Sequence, residues 1–592
     1  MKRIIIYILL LILLCVLHFS NWGTYVACNV VFSGTAALMI IVSWLCGAHF
    51  KLKSTVFIFI YIVWLLFEVL LYGNDYHMDR GFFFCLCWLI FFPMRSLFAN
   101  KYLRKNIVWL FIGCAYFEMI IGFCQLFGLL GSDDNLFILK GTFGNPAMFA
   151  AFLSLIIPFA LLEYIRLRNV NDGEIKKYVI LIALILMTYF IAISYSRGAW
   201  ISTLLSLLYI VLTNNCVMDR LRQLLATRRR LFTSIAISLF LVVGMAATLY
   251  FLKKDSSDGR LFIWKVAVTH PNQNVLLGGG IGHFETNYGI WQREYFANNG
   301  GSEHERYLAD YVTCAYNEFL ETYIDQGIIG VLLLITILFS ALLFRPKHKS
   351  SVFTAAKSAL IGFVTLCFVS YPTHCEILYL HLIVILALLY SHVEVRKSQK
   401  TITTPLQFTL FVSIVVLGLI PLWKGYSLCN AGRQKIMLGD IDEALNLYER
   451  AYPRLYNNGT FLFYYGSALH LKGNIKKSIT ILEKARMKSS DAHILLLLGD
   501  NYKIIGDTAK ALEAYQDAID CVPSRLYPRY QKVKLLLETD SLKDAYCLAQ
   551  EILSMKEKIA TTAGREIKEE MHKIIENIDL RIVHENQSII NN

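Results

Sequence analysis

Residues 178–194 read YVILIALILMTYFIAIS, preceded by Lys176 and Lys177 and followed by Tyr195-Ser196-Arg197-Gly198-Ala199-Trp200. An uncharged apolar run of this length, coiled as a helix, nearly spans the hydrocarbon of a bilayer, which takes about twenty residues. The pattern recurs along the chain. Apolar runs fall at roughly 4–19, 29–49, 54–72, 82–98, 107–130, 146–164, 200–213, 231–252, 320–344, 354–370, 377–392 and 404–423. With the opening run they predict about thirteen spans. The whole composition agrees. Hydrophobic residues make up 56% of the 592 and charged residues 17%, against about 25% charged in soluble domains. That excludes a disordered chain, a secreted disulfide scaffold and an ordinary cytosolic enzyme.

Charge sets the expected orientation. Alternate connections carry Lys51 and Lys53, then Lys101, Arg104 and Lys105, then Arg166, Arg168, Lys176 and Lys177. Arg220, Arg222 and Arg228 to Arg230 follow, then Arg345, Lys347 and Lys349, and last Arg396, Lys397 and Lys400. The short connections between them hold only Arg80, Lys140 and Arg197. Basic connections stay in the cytoplasm, so the N-terminus is expected inside and the C-terminus outside. Met1-Lys2-Arg3 before an apolar run resembles a secretory signal, but no small-residue cleavage site follows, and an uncleaved first helix is expected. The net charge of +13 belongs to these connections and does not indicate nucleic acid. The cysteines form no CxxC pair, so neither a zinc site nor a disulfide framework is inferred. On the outer side lies a long loop, 253–313, far longer than a connection requires.

After Trp423 the composition changes and a period appears. Gly439-Asp440, Gly473-Asn474 and Gly506-Asp507 stand 34 and 33 residues apart. Gly432, Gly466 and Gly499 precede them by seven residues. Ala444, Ser478 and Ala511 follow by five, and Ala451, Ala485 and Ala518 by twelve. Pro523 closes the third unit. The spacing resembles the tetratricopeptide repeat, a helix–turn–helix unit of about 34 residues. Small residues let paired helices approach, and glycine before Asp or Asn suits the turn between them. Repeats are expected at 425–458, 459–491 and 492–524, with a degenerate unit at 525–556 around Thr539-Asp540 and a closing helix near Glu566 to Asn577. The membrane region is then 1–424 and the repeat region 425–592. The fold class is all-α, a polytopic bundle followed by an α-solenoid.

Four polar motifs stand at the ends of apolar runs. Gly141-Thr142-Phe143-Gly144-Asn145-Pro146 precedes the sixth. Arg197 sits in the turn after the seventh, where a guanidinium either snorkels or faces an anionic head group. Gly259-Arg260-Leu261-Phe262-Ile263-Trp264-Lys265 is amphipathic enough to lie at an interface. It is followed by Pro271 and the run Leu277-Gly278-Gly279-Gly280-Ile281-Gly282-His283, which reads as flexible backbone near a reaction centre or as a plain loop. Ala315-Tyr316-Asn317-Glu318-Phe319-Leu320 opens the tenth run and leads into Gly327-Ile328-Ile329-Gly330. Asn317 and Glu318 either cap that helix or face a cavity, where a carboxylate holds a proton or an acceptor hydroxyl.

In this order the motifs, roughly 141–330, resemble the O-antigen ligase and O-antigen polymerase superfamily of bacterial envelope enzymes. The resemblance implies a membrane glycosyltransferase of the inner membrane, with the repeats in the periplasm. The donor is a glycan on undecaprenyl diphosphate, and the acceptor is lipid A–core, a growing glycan chain or a protein. No metal or other cofactor is implied, since the energy lies in the sugar–diphosphate bond. Arg197 and Arg260 match the arginines thought to hold the diphosphate, with Asn145 and Asn317 in support. Tyr316 stands where the family carries its histidine. A tyrosine is a poor base at neutral pH, so either Tyr316 positions the acceptor and Glu318 or His304 is the base, or Tyr316 serves with a lowered pKa. Other partners are membrane lipids and a protein bound by the repeats. Within the class, ligase-type transfer is favoured slightly over polymerisation or protein glycosylation. A transporter needs broken or charged helices near the midplane. A catalytically inactive scaffold stays open because of Tyr316.

Overall fold

The computed structural model describes residues 2–19, 25–45, 55–72, 78–130, 138–170, 174–213, 219, 244, 248, 250–251, 253–270, 274–346, 350–392, 405–558 and 561–590. Among them are 23 α-helices and no strand. The first eight are α1 (Lys2–Val16), α2 (Tyr25–Leu45), α3 (Val56–Tyr72), α4 (Met78–Phe98), α5 (Lys101–Leu126), α6 (Pro146–Val170), α7 (Glu174–Ile193) and α8 (Arg197–Thr213). The long loop carries α9 (Lys254–Thr269), α10 (His283–Asn299) and α11 (Glu303–Leu308), and the later apolar runs form α12 (Glu318–Leu343), α13 (Ser351–Val369) and α14 (Glu376–Tyr390). Six of these helices are long and apolar enough to cross a bilayer, and four shorter apolar helices accompany them. The chain is an integral membrane protein. The expected span at 231–252 lies almost wholly outside the described residues, as do Lys51, Lys53, Arg220, Arg222, Arg228 to Arg230, Lys347, Lys349, Arg396, Lys397 and Lys400.

A helix apolar on every side belongs inside a bundle. α14 is such a helix, buried at every position from Ile377 to Tyr390. It packs on α4 and α13, while α13 also packs on α6 and α8. Apolar burial drives little association within lipid, so close packing and interhelical hydrogen bonds matter. Ser206 donates to the Ser358 carbonyl at 3.0 Å, and Ser358 returns a bond to the Ser206 carbonyl at 2.6 Å.

The helix α12 is broken. Gly327 has φ 65° and ψ −170°. The backbone groups freed there meet the glycine run before α10. Gly279 N–H donates to the Ile324 carbonyl at 3.1 Å, Gly280 N–H to the Asp325 carbonyl at 2.7 Å, and Ile328 N–H to the Val275 carbonyl at 3.0 Å. The Asp325 carboxylate accepts from Gly282 N–H at 2.8 Å and Phe284 N–H at 2.9 Å. A Cβ on Gly278, itself at φ 76°, would lie 2.4 Å from the Gly327 nitrogen. Expected as flexible backbone or a plain loop, this run is instead docked against the break. Glycine is required because two backbones touch.

The last apolar run does not end before the repeats begin. One helix, α15 (Pro405–Met437), runs through both, so the expected boundary at 424/425 falls inside a continuous helix. It pairs with α16 (Ile441–Leu455). The later pairs are α17 (Gly459–Leu471) with α18 (Ile475–Arg486), α19 (Ala492–Ile504) with α20 (Thr508–Cys521), and α21 (Leu526–Glu538) with α22 (Leu542–Ser554). The closing helix α23 spans Thr562–Ile590. The turn glycines Gly439, Gly473 and Gly506 all have φ near +80°, and in the degenerate unit Asp540 takes that place at φ 59°. Ala444, Ala451, Ser478, Ala485, Ala511 and Ala518 are fully buried.

The repeats rest on the long loop. Gln292 on α10 donates to the Cys521 carbonyl at 2.5 Å. Arg293 pairs with Asp517 at 2.9 Å, which also meets Arg486 at 3.1 Å. Ser524 donates to the Ala309 carbonyl at 2.9 Å, and Lys558 to those of Leu308 and Ala309 at 3.1 and 3.0 Å. Loop and repeats therefore share one side of the bundle.

Candidate active site

On the loop side a cavity of about 700 Å³ opens between α6, α8, α9 and the segment joining α13 to α14. Its lining divides by chemistry. Leu126, Ile138, Leu139, Ile193 and Val369 form apolar wall, while Arg197, Lys253 and Arg260 supply three cations. Among the described residues no carboxylate lines it.

Each cation is oriented. Arg197 opens α8 and donates to Ser257 at 2.6 Å and Ser256 at 3.3 Å. Arg260, on α9, donates to the Val369 carbonyl, and its guanidinium lies 5.0 Å from the centre of the Tyr316 ring. Lys253 donates to the Tyr195 carbonyl at 3.2 Å. Burial holds Arg260 below the ordinary arginine value. Burial, and then Arg197 and Arg260, hold Lys253 below the ordinary lysine value. Tyr195 and Tyr316, which flank the cations, both have positive φ, 51° and 52°. That region is uncommon for bulky residues.

A second group of polar residues lines the same cavity. Asn145 accepts from Ala147 N–H on Oδ1 at 2.7 Å, which fixes its amide orientation, and donates from Nδ2 to the Tyr371 hydroxyl at 2.9 Å. Tyr371 meets Tyr316 edge to face at 5.1 Å. Burial pushes Tyr316 up to about 12 and Tyr371 upward as well, so both are phenols. The Gly141–Asn145 turn is held from below. Glu118 accepts from Thr142 N–H at 2.9 Å and from His18 at 2.5 Å, and Gln125 accepts from Gly141 N–H at 2.8 Å.

Residues 182–335 match the protein family described as O-antigen ligase. This chain carries an O-antigen ligase domain. No curated protein matches the chain. Two solved structures of MamA are each 19% identical and cover 26% of this chain and 90% and 96% of theirs, at TM-scores of 0.22 and 0.21. The Cut9–Hcn1 hetero-tetramer of the APC/C is 10% identical, with 92% of this chain and 84% of that one covered, at a TM-score of 0.23.

The O-antigen ligase domain brings Arg197, Lys253, Arg260 and Tyr316 to one cavity, and Asn145 and Tyr371 join from outside the matched residues. Of the residues expected from sequence, Arg197, Arg260, Tyr316 and Asn145 line it. Asn317 does not. It caps α12, accepting from Phe319 and Leu320 N–H at 3.1 Å. Glu318 faces a separate, smaller cavity beside Tyr61 and Gln326. Its carboxylate accepts from Thr373 N–H at 2.7 Å and from the Thr373 hydroxyl at 2.5 Å. One turn on, Glu321 accepts from Ala315 N–H at 2.9 Å and also meets His374. His304 is half exposed on α11, 3.2 Å from Asp258. Its neighbour Glu305 closes a capping box with Ser302 and meets Lys265 at 2.6 Å. Trp264, expected at an interface, donates instead to the Ala315 carbonyl at 2.8 Å, so α9 is packed over the start of α12.

Sequence reasoning missed Lys253, Ser256, Ser257 and Tyr371. A signal for the first three was present. Positions 253, 256, 257 and 260 recur as i, i+3, i+4 and i+7, one face of a helix. Tyr371 lay in a polar break, Ser370 to His374, between two apolar runs.

Proposed function

We propose that the protein is a ligase-type membrane glycosyltransferase. It moves a glycan from an undecaprenyl diphosphate carrier to an envelope acceptor at the outer face of the inner membrane. The observation that carries this reading is a half-apolar cavity lined by three cations and, among the described residues, by no carboxylate. An isoprenoid diphosphate has that pattern in reverse, an apolar chain ending in a compact polyanion. Arg197 and Arg260 bind the diphosphate oxygens, and their charge stabilises the leaving group as the sugar–phosphate bond breaks. Tyr316, edge-on to Tyr371 and under Arg260, orients the acceptor. Glu318 secures the 371–374 turn through Thr373 and so places Tyr371. The acceptor is lipid A–core, a glycan chain or a protein, and the repeats, docked on the same loop, present it or bind a protein that does.

Transport would draw on the broken α12. Yet the break lies in the first half of a 26-residue helix, toward the loop, and its freed groups are bonded to the glycine run. That arrangement favours a fixed site.

The test is glycan profiling of cells carrying Arg197→Ala or Arg260→Ala protein at normal abundance. Each should abolish long-glycan transfer, and lysine at either position should restore little of it, since a bidentate fork is lost. Near-normal transfer in both alanine variants would remove the diphosphate assignment. Loss of glycan from lipid A marks a ligase, loss of chain length a polymerase, and loss from proteins an O-oligosaccharyltransferase.

A further inference from the structure

The cavity holds one cation more than the intact donor requires. A glycosyl lipid diphosphate is substituted at both ends and carries two negative charges. When the bond from the anomeric carbon to the diphosphate breaks, its electron pair stays on the phosphate oxygen. The acceptor oxygen bonds the anomeric carbon, and the acceptor's proton leaves to water. The lipid diphosphate now ends in a free terminal phosphate, which, like a phosphate monoester, carries about −1.5 to −2 at neutral pH. Its total charge approaches three.

Among the described residues, three cations line the cavity that would hold that group. Arg197 and Arg260 are fixed by two serine hydroxyls and by the Val369 carbonyl with the Tyr316 ring. Lys253 is tied more loosely, by a bond to the Tyr195 carbonyl at 3.2 Å and by the Tyr195 ring at 5.9 Å. An ammonium on a flexible stem follows a charge that appears, whereas planar forks hold one already present. Lys253 also precedes α9, whose first turns carry Ser256 and Arg260 into the same cavity.

Resting on the diphosphate reading above, we propose that Lys253 is the cation for the charge that develops during transfer. It binds the departing lipid diphosphate more strongly than the intact donor. Such an interaction raises kcat rather than lowering KM. Burial and the two arginines weaken its hold on its proton, as expected of a cation awaiting an anion.

The experiment uses the full chain in lipid nanodiscs and two probes, undecaprenyl diphosphate and undecaprenyl diphosphate N-acetylglucosamine. Lys253→Met should weaken binding of the first about tenfold, the scale of one charge-assisted hydrogen bond. Binding of the second should change by less than about twofold, and Lys253→Arg should recover most of the loss. Equal weakening of both probes, or of neither, overturns the proposal. Arg260→Ala and Arg197→Ala are measured alongside. If they bind both probes like the wild type, the diphosphate reading fails. If they lose both probes while Lys253→Met loses neither, only the role given to Lys253 fails.

Discussion

Glu318 and Tyr316 separate two kinds of side chain at the start of α12. A carboxylate is the plainer base by its ordinary pKa, but this one is 3% exposed and accepts both donors of Thr373. Glutamine keeps one acceptor oxygen, so Glu318→Gln should retain activity within about tenfold of wild type, and Thr373→Val should match it. A general base would instead lose about 10²–10⁴-fold, and a loss of that size in measured transfer rates would restore Glu318 to the chemistry. Tyr316 differs, because burial holds its phenol up to about 12. A group raised this far stays protonated until the pH nears that value. Tyr316→Phe should therefore leave the pH profile of transfer unchanged in shape below about pH 10, while lowering its height. A basic limb that vanishes in Tyr316→Phe would mean the phenolate takes part.

Among elements, the broken α12 and the glycine run form one unit. Gly278 has φ 76°, and a Cβ there would meet the Gly327 nitrogen at 2.4 Å and the Asp325 carbonyl oxygen at 2.5 Å. Neither neighbour is a side chain that can turn away. Gly278→Ala should undock the run, exposing Asp325 and the freed N–H groups of the break at a cost of roughly 1–3 kcal/mol. Hydrogen exchange at Gly279, Gly280 and Ile328 should rise well above wild type, with transfer reduced. Unchanged exchange at those three amides would show that the backbone relaxes. The repeat elements follow their period more directly. The left-handed turn at Gly439, Gly473 and Gly506 persists in the degenerate unit, where Asp540 adopts it at φ 59°. Asp is among the few residues that tolerate that region.

At the scale of the whole molecule, the repeats hold the loop that carries two of the three cations, Lys253 and Arg260. α10 carries Arg293 to Asp517, and Arg486 shares the same carboxylate. Asp517→Arg should place three cations together, loosen the loop and reduce transfer several-fold. Arg293→Asp combined with it should recover part of the loss, as a coupled pair does in a double-mutant cycle. Purely additive losses would mean that the contact does not support the site. The sequence alone determined the all-α class, the membrane region and the repeats, because each rests on a local period: apolar length, basic flanks, and a 34-residue spacing of small residues. It also marked Arg197, Tyr316 and Asn145, polar residues at the ends of apolar runs, and Arg260, in the 259–265 segment of the long loop. What tertiary structure decided was which of the marked residues share a cavity. Glu318 and Tyr316 are two residues apart, yet the helix start turns one toward Thr373 and leaves the other beneath Arg260. Lys253 and Tyr371 are 118 positions apart in the chain and line the same cavity. No period records that proximity, because it is set by how α9 and the 371–374 turn pack over the bundle rather than by any neighbour in sequence.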